Sequence, residues 1–152
     1  MTRANARELA VHLIYAREFT GDEPEMVIAT RMEKAYYSQL SSENPIYEDL
    51  PSRAQRAYID SVVIGVANRI DELNEIISKY SIDWDISRIS KLTRTILQLA
   101  IFEIRYVEDV PTGVAISEAV RIVKLYDTDE AGAFVNGILG SVARSLSPEV
   151  NV

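Results

Sequence analysis

The chain has no cysteine, one histidine and one tryptophan in 152 residues. Without cysteine there is no disulfide, no thiolate zinc site and no cysteine nucleophile. A single imidazole, His12, argues against a histidine-rich metal centre and against a Ser-His-Asp triad. No apolar run approaches the ~20 residues a membrane span needs, and the polar N-terminus does not read as a signal peptide. No P-loop, G-x-G-x-x-G or H-E-x-x-H string occurs. These absences predict a soluble cytoplasmic protein that binds without catalysis, metal or cofactor.

What is present is apolar residues at helical spacing. Hydrophobic residues make up 47% of the chain, enough to bury a core, and the length suits one domain over 1–152. Ala6, Leu9, Ala10, Leu13 and Ile14 recur at steps of three and four and predict a first amphipathic helix. A second helix is expected from Glu25 to Leu40, with Val27, Met32, Ala35, Tyr36 and Leu40 on its apolar face. Ser41 to Pro51 reads as a loop.

Ser52 and Gln55 have capping-box spacing, and one long helix of about six turns is expected after them, through Tyr80. Gly65 inside it reads as a position for a close helix crossing. Ser81 to Asp85 is a short connection in which Trp84 reads as a core plug. Ile86 to Tyr106 is apolar nearly all round, as a central buried helix would be. A helix striped by Ala115, Ala119 and Val123 follows, then a last one capped by Asp127 or Thr128. Asn136-Gly137 usually marks a hairpin turn. Here the flanking residues keep a helical period, so Gly137 reads as a close-approach position within that last helix. The predicted fold is all-α: about six to seven helices in two packed halves.

The formal charge of −7 argues against a bulk electrostatic grip on nucleic acid, but the charge is uneven. Residues 1–20 hold three basic and two acidic side chains, a net +1. Residues 21–80 hold six basic and eleven acidic, a net −5; residues 81–152 hold seven and ten, a net −3. Arg3 and Arg7 are four apart and share a helix face, with Tyr15 further along. Arginine with an aromatic ring can grip single-stranded RNA through phosphate and base, or can be an ordinary helix surface. Lys124 and Tyr126, just before an acidic loop, pose the same choice. His12 lies off the apolar stripe and reads as a partly exposed helix residue.

Three strings in order carry a resemblance. They are R-A-N-A-R-E-L-A-V-H-L-I-Y (Arg3 to Tyr15); I-L-Q-L-A-I-F-E (Ile96 to Glu103) with Val110-Pro111 and A-I-S-E-A-V-R-I-V-K (Ala115 to Lys124); and F-V-N-G-I-L (Phe134 to Leu139). With W-x-x-x-R-I at Trp84 to Ile89, the set resembles the bacterial NusB antitermination family from Arg3 to about Val142. The resemblance implies binding of boxA-type single-stranded RNA in ribosomal RNA leader transcripts, jointly with the ribosomal protein NusE, within the RNA polymerase antitermination complex. It implies an RNA surface of Arg3, Arg7 and Tyr15 on the first helix and Lys124, Tyr126 and Phe134 around the loop before F-V-N-G. Phe134 has core packing as its alternative.

The departures from the pattern matter. Ala4 and Asn5 interrupt an arginine run, Ala133 stands before F-V-N-G, Gln98 replaces an arginine, and Thr93 replaces an acid placed near the partner surface. Fewer cations release fewer counterions, so weak RNA binding by the chain alone is expected, with a basic partner supplying affinity. The other reading is a helical protein-protein interaction module, forming a homodimer with little or no RNA binding of its own. Similar domains occur fused to methyltransferases; only Ser145 to Val152 follows the helical part here, so no methyl-transfer domain is expected.

Overall fold

A computed structural model describes residues 1–81 and 89–146. The described elements are helical, and they fall into two compact units, Met1–Asn68 and Arg69–Val152.

The first unit is built on α1 (Arg3–Thr20), whose start is capped by the Thr2 hydroxyl accepting from the Asn5 N–H at 3.0 Å. Gly21, at φ 70°, ends it in the left-handed region that glycine enters without strain. The predicted stripe Ala6, Leu9, Ala10, Leu13 and Ile14 is buried, and α1 packs on α2 (Pro24–Arg31) and α4 (Arg53–Asn68). Ile59, Val62, Val63 and Val66 supply the α4 side of this core.

The expected helix from Glu25 to Leu40 is two helices, α2 and α3 (Lys34–Leu40). The break has a local cause. The Glu33 carboxylate accepts from the Ala35 and Tyr36 N–H groups, both at 3.0 Å, and starts a new helix. The two backbone bonds hold the Glu33 carboxyl below its ordinary pKa. The break also rotates the apolar face, so Tyr37 is buried while Tyr36 is exposed. The Tyr37 hydroxyl donates to the Asp49 carbonyl at 2.8 Å and fastens the following loop, which contains a short 3-10 turn, Pro45–Glu48. The capping box stands as read: the Ser52 hydroxyl accepts from the Gln55 backbone N–H, and the Gln55 side-chain Oε1 accepts from the Ser52 N–H.

The long helix expected through Tyr80 is likewise two, α4 and α5 (Ile70–Tyr80). At the junction Arg69 leaves helical geometry, with φ −122° and ψ 22°. Asp71 and Glu72 fall in the first turn of α5, where carboxylates favour the positive end of the helix dipole.

In the second unit α6 (Lys91–Tyr106) packs on α5, α7 (Thr112–Tyr126) and α8 (Asp129–Leu146). Its buried run from Ile96 through Glu103 makes it the central helix that the all-round apolar pattern predicted. At its start the Ser90 hydroxyl caps α6 by accepting from the Thr93 N–H at 3.0 Å. Trp84 and Ile86 lie outside the described residues. Thr128, rather than Asp127, caps α8, accepting from the Ala131 N–H at 3.0 Å. Gly137 is inside α8, as its period required, but it is not a close-approach position. It is exposed, and an added Cβ would meet nothing within 4 Å, because the core face of α8 is Val135, Ile138, Leu139 and Val142.

Candidate nucleic-acid interface

Helix α1 places Arg3 and Arg7 one turn apart on a face turned toward α4, and there both meet Tyr58. The Arg3 guanidinium carbon lies 4.3 Å from the Tyr58 ring centroid and that of Arg7 lies 5.7 Å away. Both are within the range of cation–π attraction. The two arginines differ in access. Arg3 is exposed, whereas Arg7 is only 4% exposed. Tyr58 is therefore a residue of this cluster that the sequence did not announce. It sits on the core side of α4 beside Ile59 and Val62, and reads there as an ordinary core position.

Tyr15 does not join this cluster. Eight residues beyond Arg7, it stands roughly 12 Å further along the helix rise. Its half-buried ring packs edge-on against Phe19, centroids 4.8 Å apart. His12 lies between them in sequence and is partly exposed, as its period suggested. Its Nδ1 is 2.7 Å from the Tyr47 hydroxyl. Burial holds its pKa below the ordinary imidazole value, Glu8 opposing that shift and Arg31 adding to it. His12 is thus a neutral structural partner of the loop before α4.

In the second unit Lys124 and Tyr126 occupy the last turn of α7 and are exposed. The Lys124 stem lies along α8 at Gly132, where an added Cβ would sit 3.2 Å from Cε and 3.3 Å from Cγ. A missing side chain on α8 thus makes room for a cation on α7. Phe134 is only 4% exposed and is counted with the core face of α8. This is the core-packing alternative, and a ring so buried is not available to stack on a base.

The Asp127 carboxylate between α7 and α8 is turned onto α6. It accepts from the Ser90 hydroxyl at 2.9 Å, the Thr93 hydroxyl at 2.8 Å and the Thr128 N–H at 2.8 Å. The Thr93 bond is the largest cause holding the Asp127 carboxyl below its ordinary pKa. Thr93 itself is buried rather than at a surface. Gln98 is also buried, donating to the Asn74 side-chain oxygen at 2.9 Å and joining α6 to α5. Neither position of departure leaves an exposed charge. Elsewhere on this unit Glu72 is flanked by Arg69 at 3.6 Å and Arg105 at 3.4 Å, and accepts from the Tyr106 hydroxyl.

The NusB family model matches residues 4–144. The chain belongs to the NusB family. The transcription antitermination protein NusB of Natranaerobius thermophilus is 35% identical over 147 residues, covering 97% of this chain and 98% of that protein. That of Acetivibrio thermocellus is 40% identical over 144 residues, covering 95% and 90%. T. maritima NusB superposes with a TM-score of 0.73 at 26% identity, covering 98% of this chain and 95% of that one. A crystal structure of antitermination factors NusB and NusE in complex with dsRNA gives a TM-score of 0.72 at 23% identity, covering 94% and 96%. At that identity the likeness speaks for the NusB fold alone. Among the described residues no helix is long and apolar enough to cross a membrane.

Proposed function

We infer that the chain is a transcription antitermination factor. It binds boxA-type RNA of ribosomal RNA leader transcripts together with the ribosomal protein NusE, and supports read-through by RNA polymerase. The observation that carries this reading is the family match over residues 4–144, joined by near full-length relatives that are antitermination proteins. The factor acts by binding, in the cytoplasm, and performs no catalysis.

The six candidate residues take two kinds of role. Arg3 and Lys124 are exposed cations suited to phosphate, and Tyr126 offers an exposed ring to a base. Half-buried Tyr15 offers a ring edge further along α1. Arg7 and Phe134 position the others. Arg7 shares the Tyr58 ring with Arg3, and Phe134 anchors the first turns of α8 beneath the loop that follows Tyr126.

Transcription past a terminator placed downstream of a boxA element tests the function. With polymerase and NusE present, adding the chain raises the read-through fraction. A read-through fraction that does not change on addition contradicts the proposal.

A further inference from the structure

Asp127 makes more hydrogen bonds than the helix ends beside it require. Thr128 caps α8, and the Ser90 hydroxyl caps α6. Neither cap needs the Asp127 carboxylate, yet both of its oxygens are occupied. One accepts from the Ser90 and Thr93 hydroxyls, and the other from the Thr128 N–H. The Asp127 N–H donates to the Val123 carbonyl at 2.7 Å and closes the last turn of α7, the turn that carries Lys124 and Tyr126. One residue thus fixes the end of α7 against the start of α6.

Lys124 is held from the other side. Its stem lies on buried Gly132 of α8, where an added Cβ would sit 3.2 Å from Cε. The sequence just after it is acidic, with Asp127, Asp129 and Glu130. Among the described residues the Lys124 ammonium nevertheless has no carboxylate partner. Asp127 is turned onto α6, and Asp129 and Glu130 lie in the first turn of α8, where the helix dipole favours them. A lysine with a seated stem, in a turn fixed from behind, has less side-chain freedom to lose when it meets an anion. We propose that Asp127 and Gly132 are positioning residues for RNA: Asp127 fixes the last turn of α7 and Gly132 seats the Lys124 stem, so that the ammonium is preset for an RNA phosphate. This rests on the reading that Lys124 lies on the RNA surface, and it adds two residues that act through that lysine.

The test is a titration of labelled boxA RNA with the full chain and no partner protein, followed by anisotropy at several salt concentrations. Circular dichroism melts show that each variant is folded at the titration temperature. Lys124→Ala should weaken binding and lower the salt slope by about 0.7. Asp127→Ala and Gly132→Ala should each weaken binding by about threefold or more. Both expectations oppose the simpler ones. Removing a carboxylate near a phosphate contact would, by charge alone, tighten RNA binding. Alanine suits a helix better than glycine, so Gly132→Ala should keep or raise the melting temperature, and its lost affinity is not lost fold. Thr93→Val deletes one donor to Asp127 without altering any charge and should also weaken RNA binding. Thr93→Ser keeps the hydroxyl and should restore it. In a Lys124→Ala background, Asp127→Ala and Gly132→Ala should lose their effect. Binding that holds or tightens in Asp127→Ala, wild-type affinity in Gly132→Ala or Thr93→Val, or losses that persist undiminished without Lys124 overturn the proposal. Wild-type affinity in Lys124→Ala also overturns it, while the functional reading stands. If the wild-type chain prefers boxA over scrambled RNA neither alone nor with the NusE ribosomal protein, the functional reading fails and this proposal with it.

Discussion

The Thr93 hydroxyl donates to the Asp127 carboxylate at 2.8 Å, tying the first turn of α6 to the junction of α7 and α8. Replacing Asp127 with alanine leaves the buried Thr93 hydroxyl without this acceptor, which should cost about 1–2 kcal/mol. The sign with pH follows from the lowered Asp127 pKa. A carboxyl depressed on folding contributes stability above its unfolded value near ~3.9 and loses it as pH falls through the folded value. Urea unfolding of the wild type and Asp127→Ala should therefore show a clear gap at neutral pH that narrows below about pH 4.

Arg3 and Arg7 should separate in two assays. Arg3→Ala removes an exposed cation and should leave the melting temperature nearly unchanged. It should weaken RNA binding and reduce the salt slope by about 0.7, the share of one phosphate contact on a single strand. Arg7→Ala removes a buried guanidinium from the Tyr58 ring and should lower stability by about 1–2 kcal/mol. Thermal melts and RNA titrations at several salt concentrations read both effects.

Phe134 and Tyr126 should divide the same way. Phe134→Ala opens the core beneath α8 and should cost about 3–5 kcal/mol. Tyr126→Ala touches an exposed ring and should leave stability within about 0.5 kcal/mol. If Tyr126 stacks on a base, RNA affinity falls by about 1–3 kcal/mol in that variant.

The His12–Tyr47 contact should make the first unit sensitive to acid. Burial lowers the His12 pKa, so its contribution is present above the unfolded value near ~6.5 and is lost as pH falls through the folded value. Tyr47→Phe removes the hydroxyl partner and should cost about 1 kcal/mol at neutral pH. Unfolding midpoints between neutral and acid pH, with and without the Tyr47 hydroxyl, check both statements.

The fold was legible where apolar spacing was long and regular, and less so where a single side chain interrupts a helix. The stripe of α1, the central burial of α6 and the Ser52–Gln55 box all follow from pattern alone. The breaks at Glu33 and Arg69 do not. Glutamate is an uncommon cap, and an apolar period runs through both breaks without a glycine or proline to mark them. At the candidate site, spacing put Arg3 and Arg7 on one face. It could not show that Tyr58, fifty residues on, lies under both, or that Arg7 is buried. Gly132 carried no signal either, since its role is the space it leaves for the Lys124 stem on another helix. The function itself rests on the strings of the resemblance and on the family match, because a helical bundle serves many roles.

The central claim is that a small basic-leaning patch reads RNA while a partner supplies much of the affinity. Titration of labelled boxA RNA, with a scrambled RNA of the same composition beside it, tests this most directly. The chain alone should bind weakly, with a shallow salt dependence. With the NusE ribosomal protein added, binding should tighten and favour boxA over the scrambled sequence. A ternary mixture that binds both RNAs equally would contradict the account.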